Sequence, residues 1–335
     1  MGYTNLDVNA TRKYCEDIFK SIGYSEQESA DIVDVLITAD LFGIESHGIQ
    51  RLIRYHLAIE EGSILTDVKP EIIFQSPISV VFDAPKSMGQ IVAKKGMNMA
   101  IDMAKKHGIG AVCVRGSNHY GIAGYYTLMA AEQDMLGISM TNTEAIAIPT
   151  YGKKAMLGTS PIAVCMPADP VNFWYDAATT VITRGKLEVY RKKELPLPQG
   201  WVADENGMDC DDADRKGYGL GIIVELFTSI FAGGTTSPHV RNSGNADTSF
   251  CLWAIDYGIF GNKTEIKNRM STLLRELRES PKADGKDRIY THGEIEIESR
   301  KEKLESGIPV NEKTLEELKM IGKKSGLELN NYFSL

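Results

Sequence analysis

No stretch of this sequence approaches the ~18 unbroken apolar residues of a membrane span, so a membrane protein is not expected. The first residues, MGYTNLDVNATRKYCEDIF, hold no apolar run behind a basic start, so no secretory signal is expected either. Gly2 invites a lipidation reading, but Leu6 stands where Ser or Thr is needed. Cys15, Cys113, Cys165, Cys210 and Cys251 are odd in number, widely spaced and free of any CxxC pair. That argues against a disulfide framework, a zinc knuckle or another metal centre, and makes a reducing cytoplasm the expected setting. Basic excess is missing too. With 37 Lys and Arg against 45 Asp and Glu, the net charge of -8 disfavours nucleic acid as a partner. An anionic small molecule needs only a local cation and stays allowed. There is no P-loop, no HExxH and no GxSxG elbow. Gly217, Gly219 and Gly221 come nearest to the dinucleotide fingerprint GxGxxG, but they follow no strand, and a Rossmann domain is not supported.

What is present describes a globular chain. Its 335 residues suffice for two domains, or one with a subdomain, and 43% are apolar. Periodicity predicts helices over 8–23, 26–41 and 46–61, the second opened by the capping-box pair Ser25 and Glu28. A strand at 79–84, a helix at 89–107 closed by Gly108, and a buried strand at 110–116 follow. A helix at 121–134 and strands at 136–142 and 161–168 come next. Further on, 194–209 reads as loop, 216–234 as an apolar helix, 251–260 as a strand, and 262–279 and 311–326 as amphipathic helices. The alternation gives a mixed α/β class.

Three stretches carry chemistry. In SHGIQRLIRY, His47, Arg51 and Tyr55 recur every four residues, so on a helix they form one stripe drifting by only ~40° per step. An arginine there grips a carboxylate with paired hydrogen bonds, and a histidine in a first helical turn stays neutral. A solvated helix face gives the same row. In RGSNHYGIAGYY, a buried strand runs straight into Asn118 and His119, and Gly121 and Gly124 allow close approach. A histidine hydrogen-bonded within a turn is the plainer reading. MTNTEA, MLGTSPIAVCMP and WYDAATT set Asn142, Thr143, Thr159, Asp176 and Thr179 at strand edges, which suits a ribose or pyrophosphate and equally suits ordinary turns.

In order, GIESHGIQRLIRYH, GSNHYGIAGYY, TNTEA, GTSPIAV, DAATT, RGK, KGYGLGIIVELF, HGEIEIE and GIPV resemble the type 2 malate/L-lactate dehydrogenases over almost the whole chain. Ureidoglycolate, sulfolactate and diketogulonate enzymes and cyclic imino-acid reductases share that family. The resemblance implies a non-Rossmann nicotinamide-binding domain on a largely antiparallel sheet, here 73–261. It also implies a helical domain from the two chain ends, 1–72 with 262–335, and a homodimer. The matches to Ser46, His47, Arg51, Tyr55 and Thr159 line the substrate side. Those to Asn142, Thr143, Asp176, Ala178, Thr179 and Lys216 meet the cofactor, NAD or NADP, with NAD preferred. His119 is expected to transfer the proton with His47 as partner, oriented by Asp176. The reverse assignment holds in other members. Malate is the first-choice substrate; lactate, ureidoglycolate, sulfolactate, a cyclic imino acid, or a silent binding role are the alternatives. The chain departs from the family pattern at Ser160 (for Asn), at Thr180 (for Ser), and before Lys216, where a Gly-rich segment is missing.

Overall fold

The computed structural model describes residues 2–181, 190, 196, 198, 214–241 and 247–333, the side chains of 214–216 excepted. Local sequence sets the front helices. Asp7 accepts from Ala10 N and starts α1 (Val8–Ser21). Ser25 starts α2 (Glu26–Leu41) with the expected reciprocal box, Ser25 N to Glu28 Oε2 at 2.9 Å and Glu28 N to Ser25 Oγ at 3.3 Å. Two short strands that periodicity does not reveal then join the chain ends. β1 (Tyr3–Leu6) pairs antiparallel with β9 (Ile308–Asn311), Leu6 opposite Ile308. Tyr14 donates to Leu318 O at 2.8 Å, and Ile18, Leu36, Leu52, Tyr55, Val310 and Ile321 share one core. In that core α1, α2 and α3 (Leu52–Glu60) meet α9 (Glu312–Lys324).

The main sheet has the order β2-β3-β4-β8-β5-β6-β7, and only β3 with β4 runs parallel. The strands are β2 (Glu71–Gln75), β3 (Ser79–Asp83), β4 (Ile109–Ser117), β5 (Leu136–Thr141), β6 (Ile162–Met166), β7 (Phe173–Ala177) and β8 (Thr248–Ile255). The largely antiparallel expectation therefore holds. Side chains alternate across a strand. Val112, Val114, Phe250 and Leu252 meet α4 (Gly89–His107) and α5 (Ala123–Ala131) on one face. Cys113, Cys251 and Trp253 meet Phe227 and Ala232 on the other. Burial on both faces explains the continuous apolar run AVCV.

Several expectations change. The segment 46–61 is not one helix: 3-10 turns at Glu45–His47 and Ile49–Arg51 precede α3, and Gly48 between them is extended (φ -85°, ψ -151°). A Cβ on Gly48 would fall on the buried Asp40 carboxyl, so the chain turns aside there. The 251–260 strand ends at Ile255, because Asp256 accepts from Gly258 N at 2.9 Å and caps a 3-10 turn. The 216–234 helix is α6 (Asp214–Glu225) followed by a π turn, Leu226–Ile230. The loop expected at 194–209 lies, but for Pro196 and Pro198, outside the described residues. α7 (Lys263–Glu279) lies by the sheet, with Lys263 3.1 Å from Asp256 and Ser271 Oγ accepting from Asp169 N at 2.9 Å. α8 (Glu294–Ser306) was not foreseen; it returns to α2 through Ser299 Oγ on Leu41 O and Lys303 Nζ on Asp40 O, at 2.9 and 2.7 Å.

Gly89, the first residue of α4, packs against main-chain carbonyls of Asn118 and His119. Gly89→Ala gains ~0.5–1 kcal/mol of helix propensity but sets a methyl against backbone, which costs typically 1–3 kcal/mol. The second effect dominates, since backbone atoms cannot swing aside. Urea unfolding should show a net loss of about 1–2 kcal/mol, and an unchanged or raised midpoint would contradict this packing.

Candidate active site

The kinked turn after α2 is held by Asp40. Its buried carboxyl accepts from Ile49 N at 2.7 Å, fixing the second 3-10 turn against the helix end. Arg51 Nε donates to Ser46 O at 2.6 Å and folds the turn back on itself. Ser46 Oγ lies 2.9 Å from His47 Nδ1. The row read as a helical stripe is thus assembled by two tight turns and the start of α3, not by helical periodicity.

His119 comes from the other core. Asn118 anchors the chain beyond β4, its Nδ2 donating to Ser63 O and Ser87 O at 3.2 and 3.1 Å. The rings of His47 and His119 then stack at 5.4 Å and 26°. His119 Nδ1 lies 2.6 Å from the Tyr55 hydroxyl and 3.3 Å from Gly121 N. A cavity of about 280 Å³ opens here. Ser46, His47, Arg51 and His119 line it, facing Asn142, Thr143, Thr159, Asp176 and Ala178. Three expected residues stand apart. Tyr55 borders a second cavity behind His119. Thr179 packs beside Gly217, Tyr218 and Gly221 of α6. Lys216 lies in the first turn of α6 with its side chain outside the described residues.

Several of the cofactor candidates build the wall. Asn142 Nδ2 donates to Thr235 O and its Oδ1 accepts from Ser249 N, both at 2.8 Å. Thr143 Oγ1 accepts from Thr159 N at 3.0 Å, and Thr179 Oγ1 donates to Thr159 O at 3.1 Å. Asp176 accepts from Gly124 N at 2.7 Å at the start of α5. Among the described residues no hydrogen bond joins Asp176 to either imidazole; Ser46 orients His47. Ile122, Ile146 and Pro161 add apolar surface beside these hydroxyls. Flat apolar faces next to hydroxyls and main-chain amides fit a nicotinamide with its carboxamide. The cavity lies near the lower end of the roughly 300–1,000 Å³ usual for small-molecule sites, enough for the reactive end of a dinucleotide and a small acid.

Sequence reasoning missed Arg54, which lines this cavity with Arg51. The signal was available, because residues three apart in a helical turn are neighbours. It missed Asp40 because nothing in α2 marks that carboxyl as facing Ile49. Both imidazoles reach the cavity, yet burial dominates their chemistry. Burial, then Arg51 and Arg54, push His47 down to about 3. Burial, Arg54, His47 and Arg51 hold His119 well below the ordinary histidine range. Asp176 is raised to about 6 by burial, against the Gly124 hydrogen bond.

Residues 6–319 match the sequence family described as malate/L-lactate dehydrogenase. The chain belongs to that family. It is 39% identical to the malate dehydrogenase of Pyrococcus abyssi, over 98% of this chain and 96% of that protein. It is 35% identical to the L-sulfolactate dehydrogenase of Methanocaldococcus jannaschii, over 96% and 97%. The solved malate dehydrogenase of Pyrococcus horikoshii OT3 superposes with a TM-score of 0.89 at 36% identity, covering 97% of each chain. Membership makes this protein a nicotinamide-dependent dehydrogenase of 2-hydroxy acids. In this member of the family, the two neutral histidines and two guanidiniums converge from separate cores.

Asp40 gives a pH test of the turn. Burial raises its carboxyl to about 8, against the Ile49 hydrogen bond and Lys303, with Glu45 adding to the rise. A raised acid means the folded state binds more protons than the unfolded one between the ordinary carboxylate range and about 8. Stability from this group therefore falls as pH rises through that window. Asp40→Asn keeps an acceptor for Ile49 N and removes the titration. Its melting temperature should match the parent near pH 4 and exceed it increasingly up to pH 8–9. A gap independent of pH would show that Asp40 is ionised throughout.

Proposed function

We propose that this protein interconverts a 2-hydroxy and a 2-oxo acid bearing a second anionic group, malate and oxaloacetate first. The observation that carries this is the pair Arg51 and Arg54 on one cavity with His47 and His119. Arg51 takes the carboxylate next to the reacting carbon, and Arg54 takes the second anion. Malate and sulfolactate, named for relatives, both bear such a group. A nicotinamide held against the Asn142–Ala178 wall would supply or accept the hydride at the carbon. His119 holds the proton exchanged with the substrate oxygen; the stacked His47, bonded to Ser46, stays neutral and excludes water. Asn142, Thr143, Thr159, Asp176 and Ala178 shape the nicotinamide wall, with Thr179 and Lys216 on the α6 side. NAD is preferred to NADP.

The partition proposed is a nicotinamide-binding unit, 73–261, and a helical unit, 1–72 with 262–335, in which α7 bridges to the sheet. A homodimer is supported by the outer face of α6 and its π turn, where Ile223, Leu226 and Ile230 are 43%, 41% and 56% exposed. A cytoplasmic setting suits the free buried thiols of Cys15, Cys113, Cys165 and Cys251.

Purified protein should oxidise NADH or NADPH with oxaloacetate, and either cofactor should raise its melting temperature. No response to either would favour a silent binding protein. Losing a charged contact costs on the order of 2–5 kcal/mol. Arg51→Lys should therefore lower kcat/KM strongly for every 2-oxo acid. Arg54→Gln should lower it roughly 30- to 4,000-fold for oxaloacetate but far less for pyruvate, which lacks the second anion. Equal losses for both acids would remove Arg54 from that role. Light scattering should give twice the 37.0 kDa chain mass, and Ile223→Glu should shift it towards the monomer.

A further inference from the structure

The surroundings of His119 fix which nitrogen carries its proton. The Gly121 main-chain N–H can only donate, and it points at Nδ1 at 3.3 Å. Nδ1 is therefore an acceptor, the neutral ring bears its proton on Nε2, and the Tyr55 hydroxyl at 2.6 Å donates to Nδ1 as well. Charging this ring is unfavourable: burial opposes it first, and Arg54, His47 and Arg51 add to that, although the carboxyl groups of Glu144 and Asp176 line the same cavity. An imidazolium is thus not the proton store near neutral pH. Yet a ring that lost its Nε2 proton with Nδ1 bare would become an imidazolate, which is costlier still.

Both difficulties vanish if a proton reaches Nδ1 as another leaves Nε2. We propose that Tyr55 supplies it, so that His119 shuttles between its two neutral tautomers and never becomes charged. The proposal rests on the dehydrogenase reading above. In reduction, the nicotinamide would supply the hydride to the carbonyl carbon, and His119 gives its Nε2 proton to the carbonyl oxygen. Nδ1 takes the Tyr55 proton, breaking its O–H bond, and the phenolate recovers one from solvent. Once product leaves, Nε2 takes a solvent proton and Nδ1 releases its own to solvent, which restores the Nε2–H ring with no net proton change. One solvent proton is consumed per hydride. Oxidation runs the same transfers backwards.

Two further observations support a relay at this phenol. Tyr55 and His119 both border a second cavity of about 480 Å³, on the side away from the cofactor wall. Leu57 and Glu61 line it and are exposed, so it reaches solvent and can deliver a proton while the first cavity is filled. Burial holds the phenol above its ordinary value, and Arg54, Arg51 and Gln90 limit that rise. Gln90 is fully buried, and among the described residues its amide meets no hydrogen-bond partner. Tyr55 is a positioning and relay residue acting through His119, since it borders the second cavity and not the first.

The test begins with the resting protein. Nitrogen-15 spectra of histidine-labelled protein, with His119 assigned by loss of its signals in His119→Gln, should show a neutral Nε2–H ring from pH 6 to 8. An imidazolium or an Nδ1–H ring in that range overturns the proposal, whatever the substrate. Tyr55→Phe keeps the ring packing and removes only the hydroxyl. It should lower kcat roughly 100-fold or more and leave KM for the oxo acid within a few-fold. In mixtures of light and heavy water, kcat should fall along a curve for the parent, two protons moving together, and along a line for Tyr55→Phe. A linear parent plot, or an unchanged kcat in the variant, also overturns the relay. If no 2-oxo acid is reduced at all, the dehydrogenase reading fails, and the spectra still decide the tautomer.

Discussion

The buried hydrogen bond from Ile49 N to the Asp40 carboxyl governs this molecule's chemistry. It sets two 3-10 turns across the end of α2 in place of a continued helix. Without that kink, His47 and Arg51 would keep helical spacing on α3, and His47 would not be set to stack on the ring of His119 just beyond β4. The carboxyl is itself enclosed, with Lys303 of the last third of the chain bonded to the neighbouring main-chain oxygen. The turn therefore depends on both chain ends being in place. The β1–β9 pair and the Tyr14–Leu318 bond hold them there.

Electrostatics follow from that convergence. Two guanidiniums and two imidazoles share one small cavity, and four cations could not be held together so closely. Burial keeps both histidines neutral, and the arginines beside them add to that effect. The proposed division of anion recognition and proton transfer between residue types is compatible with that burial and crowding. Asp176 does not relieve it, because its carboxyl holds Gly124 at the start of α5 and braces the opposite wall.

The wall opposite the histidines obeys a different logic. Asn142, Thr143 and Thr179 spend their polar groups on main chain at 235, 249 and 159. Their small polar side chains serve geometry first, and the surface they leave is flat and partly apolar. Small residues with hydroxyls are suited to this because they can tie adjacent loops without filling the cavity between them.

Local physics was legible in the residues themselves. Ser25 and Glu28 announced α2, Gly108 closed α4, and the AVCV run gave β4, because each signal lies within a few residues of its effect. The ordered motifs named the family, and His47, Arg51, His119 and Asp176 were found as candidates. Pairings across the chain were not legible. Leu6 and Ile308, Tyr55 and His119, and Asp40 and Ile49 acquire meaning only when distant segments meet. β1 and β9 are too short to show a period, and Gly48 hides its role until the Asp40 carboxyl lies against it. The sequence by itself determined most helices, most strands and the candidate site residues. The tertiary structure alone decided the break at Gly48, the burial of both histidines and the stacking of His47 on His119, because these depend on contacts between separate parts of the chain.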